Sequence, residues 1–249
     1  MKNQIEFKVM GRFALFTDPI TKIGGEKFSY HLPTYEALKG VVKSIYWKPT
    51  IVWYIDKVRV IKRIQTQSKS AKPLNYHGIY PCEKNPNIKK QESFNTLAIY
   101  TYLADVEYQV QAHFEWNQYR DDMAEDRIDG KHYAIAQRMV EKGGRQDVFL
   151  GTRECQGYVE PCEFGIGSGF YDHTGQLAYG VMFHSFGYPD ETGIDKLHAR
   201  FWRPVMQDGI IEFPRPQACD ITKFVRDMIP NPPQSNGLRE EAIIHELDA

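Results

Sequence analysis

Between Asp105 and Trp116, apolar and polar residues alternate without a break. Val106, Tyr108, Val110, Ala112, Phe114 and Trp116 are interleaved with Asp105, Glu107, Gln109, Gln111, His113 and Glu115. A period of two puts every second side chain on the same face, so this run predicts a strand with one buried and one wet side. A weaker alternation through Phe7, Val9, Phe13 and Leu15 predicts a first strand from Ile5 to Phe16, broken by Asp18-Pro19. The period then changes. Tyr35, Leu38, Val41, Val42 and Ile45 recur at helical spacing behind Pro33, which suits a first helical turn. Pro49 disfavours helical geometry at Lys48, so this helix should end near Trp47. The β-branched and aromatic run Ile51 to Val60 predicts a second strand. Gly130 to Lys142 predicts a second helix, with Tyr133, Ala136 and Val140 along one side and Gly143-Gly144 as its stop. A further strand is expected over Asp147 to Leu150.

The order is therefore β-α-β, an insertion over 62–95, then β-α-β. This is an α+β arrangement, the split βαβ (βαββαβ) unit of ferredoxin-like domains, which include RNA-recognition folds. The expected organisation is a ferredoxin-like domain over 1–150, a β-rich C-terminal extension over 151–229 and a tail over 230–249. Within the extension, Leu177 to Phe186 and Leu197 to Val205 read as strands. Asp208-Gly209 marks a hairpin turn before Ile210 to Phe213. Pro-rich sequence follows Ile229, and Leu238 to Leu247 can form a short helix.

Composition changes this picture little. The chain is 42% hydrophobic and 25% charged, values of a folded domain rather than a disordered one. Net charge is −1 and the pI is about 6.7, so there is no global basic excess. The balance is local, however. From Lys57 to Cys82 there is no Asp or Glu, while Lys57, Arg59, Lys62 and Arg63 fall within it. These four and Lys48 are candidate phosphate contacts, or else a solvated face. Four cysteines at irregular spacing, without C-x-x-C, are expected as reduced thiols. The N-terminus lacks a continuous apolar signal region, and no apolar run reaches membrane-spanning length, so a cytoplasmic location without membrane contact is expected. No zinc-site spacing or Walker loop occurs, and neither metal nor cofactor is expected. Cys155 and His184 form a nucleophile–base pair by residue type alone.

RNA cleavage requires no metal. The ribose 2′-OH attacks the adjacent phosphate once a base removes its proton, an acid protonates the departing 5′-oxygen, and a cation offsets the phosphorane charge. His132, of the residue type best suited to proton transfer near neutral pH, and Lys131, a compact cation, stand together at the start of the second helix. On spacing alone the pair is equally a solvated helix start. Tyr46 ends the first helix. In a split βαβ fold both helices pack on one face of the sheet, so Tyr46 is either a partner of that pair or a core tyrosine.

The segments FALFTDPITKIGGEKFSYHLPTYEALKGVVKSIYWKPTI, DGKHYAIAQR, FLGTRECQGYVEPCEF and GYPDETG resemble the Cas five family of CRISPR-associated proteins, subtype I-C (Dvulg), over essentially the whole chain. That resemblance implies a ferredoxin-like domain of the RAMP type with a β-rich C-terminal extension. It implies a metal-independent endoribonuclease that cleaves precursor CRISPR RNA at its repeat hairpin. The enzyme then stays in the type I-C surveillance complex with the backbone and large subunits. The family's catalytic tyrosine, lysine and histidine match Tyr46, Lys131 and His132. Gly143, Gly144 and Arg145 resemble its glycine-rich loop and so become candidate RNA contacts. The stretch from Tyr80 to Glu92 is longer than the family pattern. A non-catalytic subunit that only holds the guide-RNA handle is the alternative.

Overall fold

Strand β1 (Gln4–Ala14) buries Ile5, Phe7 and Val9 on one face, as its alternation predicts. The structure, a computed structural model, describes residues 3–22, 26–72 and 97–230. Helix α1 (Tyr35–Ile45) is capped by Thr34, whose hydroxyl accepts the Ala37 N–H at 3.2 Å. It ends just before the predicted point. Tyr46 is already extended, and its carbonyl accepts the Trp53 indole N–H at 2.8 Å instead of capping a further turn.

Strand β2 (Ile51–Val60) has its predicted bounds. A bulge between Ile55 and Lys57 resets its alternation. Trp53 and Ile55 enter the core before the bulge, and Val58 and Val60 after it. Strand β3 (Ala98–Trp116) begins earlier than predicted, because Thr66–Ala71 pairs antiparallel with Ala98–Leu103. The 62–95 insertion therefore begins as one arm of an extended hairpin. Its remainder, including 80–92, lies outside the described residues, as do Gly24-Gly25 and Leu238 to Leu247.

Helix α2 (Lys131–Glu141) buries His132, Ala136 and Val140. The expected stripe through Tyr133 is thus rotated by one residue. The i, i+4, i+8 row that includes His132 faces the sheet, and Tyr133 is only partly covered. Strands β4 (Val148–Phe149) and β5 (Gln156–Pro161) follow.

The C-terminal half adds β6 (Met182–Gly187), helix α3 (Pro189–Thr192), β7 (Lys196–Trp202), β8 (Val205–Gln207), β9 (Ile210–Glu212) and β10 (Ile221–Asp227). Both long strands expected here are split. Gln176–Ala178 and β6 are separated around Gly180, and β7 and β8 at Arg203-Pro204, where Pro204 has no N–H for a ladder. At each break the chain passes from one sheet to another. The Asp208-Gly209 turn is as predicted. Both residues have positive φ, 48° and 83°, which joins β8 to β9 in a primed hairpin turn.

Among the described residues, ten strands form the larger sheet, in the order β4-β5-β1-β3-β2-β9-β8 and then Gln176–Ala178, with Lys27–Phe28 and Thr66–Ala71 also on β3. Strands β10-β7-β6 form a second sheet. The fold is mixed α+β and mostly antiparallel. Helices α1 and α2 both contact the larger sheet and meet each other. The opposite face is crossed by residues 164–172, where the Phe164 and Gly165 amides donate to Glu6 and Gln109. Among the described residues no helix is long and apolar enough to cross a membrane.

Candidate active site

The meeting of α1 and α2 brings together residues 86 positions apart. Tyr46 Oη lies 2.8 Å from His132 Nδ1. His132 Nε2 lies 2.7 Å from the Asp126 backbone carbonyl, which can only accept, so Nε2 carries the ring proton. Nδ1 is then an acceptor, and the Tyr46 hydroxyl donates to it. Burial pushes the Tyr46 phenol up to about 12; the nearby Asp126 carboxylate adds to this and Arg145 opposes it. Tyr46 therefore stays protonated at neutral pH and remains the donor. Trp116 and Phe114 stand edge-on to the imidazole, at ring separations of 5.5 and 6.3 Å.

The strongest alternation in the sequence thus supplies the wall behind His132. The ring is fully buried and Tyr46 is 2% exposed. The reading of Lys131-His132 as a solvated helix start holds for Lys131 alone. Its ammonium is partly exposed and pairs with the Asp126 carboxylate. That carboxylate also accepts the Thr50 hydroxyl at 2.7 Å, and its Oδ2 lies 3.5 Å from His132 Nε2. Burial alone would raise the Asp126 pKa; hydrogen bonds from Lys131 and Thr50 and the neighbouring His132 and Lys131 hold it below the usual carboxylate range.

Asp126 closes the 3₁₀ turn Asp121–Asp126 and borders a groove of ≈ 670 Å³ that is also lined by Lys43, Trp47, Lys48 and Arg145. Lys48 and Arg145 are exposed there. Gly143 and Gly144 have φ of 81° and 115°, which lets their amides return to Val140 and Met139 and end α2. The Arg145 and Gln146 amides then donate to the Ser44 carbonyl of α1, fixing this loop against the groove.

The other expected RNA contacts are differently placed. Arg59 is 5% exposed and its guanidinium binds Asp172 at 2.8 Å, so the protein already holds it. Lys57 pairs with Glu212 and Lys62 with Asp105, each at 2.7 Å, while Arg63 lies over the Phe170 ring. Three cations of the acid-free stretch, Lys57, Arg59 and Lys62, are thus paired with acids from other segments. His113, expected to be solvated, is bound by Asp56 at 2.8 Å.

Cys155 and His184 are each held by other groups. The buried Cys155 sulfur accepts from Thr152, and burial pushes its thiol up. His184 bonds Ser185 and the Pro214 carbonyl and stacks on Tyr35 at 4.2 Å. Burial, with Arg200 and Lys39 adding, pushes His184 from 6.5 down to about 3. The unfolded chain therefore takes up this proton first as pH falls. Stability should be lost progressively between pH 6.5 and about 3. Urea unfolding across that range is expected to give a shallower loss for His184→Phe than for the wild type; parallel curves would contradict it.

Asp126 and Thr50 are the site residues that sequence reasoning did not single out. Asp126 lies five positions before Lys131, among Asp121, Asp122 and Glu125, and reads there as part of a solvated acidic run.

A solved structure described as "Crystal Structure of CRISPR-associated Protein" is similar to this chain, with 35% identity and a TM-score of 0.69, covering 88% of this chain and 96% of that one. That likeness puts the fold among those of CRISPR-associated proteins. The chain belongs to the Cas5 family, matching the Cas5d profile, "CRISPR-associated protein (Cas_Cas5)", over residues 4–214. It is similar to the protein named "CRISPR pre-crRNA endoribonuclease Cas5d" from Mannheimia succiniciproducens, at 25% identity over 86% of this chain and 96% of that protein. The protein of the same name from Thermus thermophilus is 26% identical over 81% of this chain and 80% of its own length.

Proposed function

We propose that this protein is a metal-independent endoribonuclease that cleaves precursor CRISPR RNA at its repeat hairpin. It remains on the guide as a subunit of the type I-C surveillance complex in the cytoplasm, beside the backbone and large subunits. The observation that carries the cleavage reading is the Tyr46–His132 hydrogen bond beside Lys131, at the edge of a groove edged by Lys48 and Arg145. Family membership and the names of the relatives support the substrate; the resemblance to subtype I-C supports the complex.

The strand order β5-β1-β3-β2, with neighbours antiparallel and both helices between them in the chain, supports a ferredoxin-like βαββαβ unit. In such a unit the two crossovers bring the end of α1 to the start of α2, which is where Tyr46 and His132 meet.

In the reaction, the ribose 2′-oxygen bonds to phosphorus as the bond to the 5′-oxygen breaks. Tyr46 orients the 2′-OH, and His132 acts in proton transfer through Nδ1: one proton leaves the 2′-OH, and one is delivered to the departing 5′-oxygen from the imidazolium or from water. Lys131 offsets the charge that grows on the phosphoryl oxygens. The products are a 2′,3′-cyclic phosphate and a 5′-hydroxyl. Cleavage of the cognate repeat RNA is expected to persist in excess chelator and to vanish when the attacking 2′-OH is replaced by hydrogen. Products bearing a 5′-phosphate, or cleavage of the 2′-deoxy RNA, would exclude this chemistry.

A further inference from the structure

Both nitrogens of His132 are occupied, and its ring is sealed from solvent. The group that seals it on the groove side is Asp126, through two different atoms. Its carbonyl holds Nε2. Its carboxylate holds Lys131 Nζ and Thr50 Oγ1 and approaches Nε2 to 3.5 Å. A cation and a hydroxyl donor converge on the carboxylate, with the imidazole N–H, bonded to the adjacent carbonyl, 3.5 Å away; this makes an oxyanion site, and a carboxylate oxygen pair presents the same acceptors as two non-bridging phosphate oxygens. Asp126 also sits on a short 3₁₀ turn that buries no side chain of its own, so it has little packing to hold it in place.

We infer that the Asp126 carboxylate occupies the scissile-phosphate subsite of the free protein, that RNA binding displaces it, and that Thr50 is a further phosphate-binding residue of the site. This rests on the proposed cleavage reading. In the free protein, Lys131 is neutralised by Asp126. In the complex, an RNA phosphate takes over the contacts of the carboxylate with Lys131 and Thr50. The turn Asp121–Asp126 swings clear of the imidazole, which opens Tyr46 and His132 to the groove. Two anions cannot share this site, so Asp126 competes with substrate rather than assisting it.

The test compares full-length wild type, Asp126→Asn, Asp126→Ala and Thr50→Val. Binding is measured with repeat RNA carrying 2′-deoxyribose at the cleavage position, and single-turnover cleavage with the unmodified RNA. Asp126→Asn keeps the size and hydrogen-bonding capacity of the side chain, and thermal melts identify any variant that fails to fold. Both Asp126 variants are expected to bind RNA more tightly, by up to about fivefold, the scale of one partly exposed ion pair removed. Thr50→Val is expected to bind more weakly. Unchanged or weaker binding in folded Asp126→Asn would overturn the inference. So would a fall in its saturating rate at unchanged affinity, which would make Asp126 a positioning residue. Failure of the cleavage reading looks different: wild type would not cleave, while the binding comparison among the four proteins would still be readable.

Discussion

Replacing His132 with alanine is expected to slow cleavage of the repeat RNA by about 10²–10⁴-fold, the contribution of one positioned proton-transfer group. RNA binding should be retained, because the exposed cations Lys48 and Arg145 that border the groove are untouched. The substitution carries a structural cost that has to be separated from the chemistry. It leaves the Tyr46 hydroxyl and the Asp126 carbonyl without their buried partner, and each such loss costs roughly 1–3 kcal/mol. Tyr46→Phe is therefore the necessary companion. It removes one oxygen, leaves the ring packing intact and deprives Nδ1 of its donor. Its rate should fall between wild type and His132→Ala, with a smaller change in melting temperature. Rates are compared only between variants that melt cooperatively and bind RNA as wild type does. A folded His132→Ala protein that cleaves at the wild-type rate would remove His132 from the mechanism.

How far this site could be read from sequence depends on which distances are local. The alternation over 105–116 requires no information from elsewhere in the chain, and β3 contains all of it, although the strand begins earlier, at Ala98, where Thr66–Ala71 pairs with it. The helix over Tyr35–Ile45 and the strand over Ile51–Val60 are equally local: a capping hydroxyl, an apolar stripe and a β-branched run. The long strands at Leu177 to Phe186 and Leu197 to Val205 look continuous because hydropathy does not register a change of sheet. Only Gly180 and Pro204 mark the breaks, and either residue is also tolerated at a strand edge. The charge pattern was the least readable. Lys57, Arg59 and Lys62 lack acids nearby in sequence, yet Glu212, Asp172 and Asp105 reach them from other segments. For the same reason Asp126 was hidden among surface acids. The chemistry of metal-free RNA cleavage points to Lys131 and His132, and the family resemblance adds Tyr46 as their partner. The rotation of α2 that buries His132 beside Trp116 follows only from the packed structure.

The largest expected loss of stability lies away from the groove, at Glu191. This carboxylate accepts from Lys39 and, at 3.1 Å, from Lys43, and so ties helix α3 to α1. Lys39 is 3% exposed, which makes it a buried ammonium whose charge is compensated from α3. Burial alone would raise the Glu191 pKa, but the two lysines hold it below the usual range, so it is charged near neutrality. Breaking such a pair from one side leaves an uncompensated buried charge and costs about 3–5 kcal/mol, far more than the pair contributes relative to an apolar replacement. Glu191→Ala should therefore lower the unfolding free energy by about that amount and the melting temperature by roughly 10 °C. Glu191→Gln should fall between, since it keeps an acceptor but not the charge. The double variant Lys39→Met/Glu191→Leu should recover most of the loss, because the buried ammonium is gone and the cation left without its carboxylate, Lys43, is partly exposed. A Glu191→Ala protein within about 0.5 kcal/mol of wild type would show that Lys39 finds another partner or reaches water. The same pair bears on cleavage. Helix α1 ends on Tyr46, and α3 also presents the Asp190 carbonyl to Asn117 at 3.0 Å, directly after β3. Loosening α3 therefore releases both the helix that aims Tyr46 and the strand end that carries Trp116 against His132. Folded Glu191→Ala should accordingly cleave more slowly than wild type even below its melting temperature, with the double variant restoring rate and stability together.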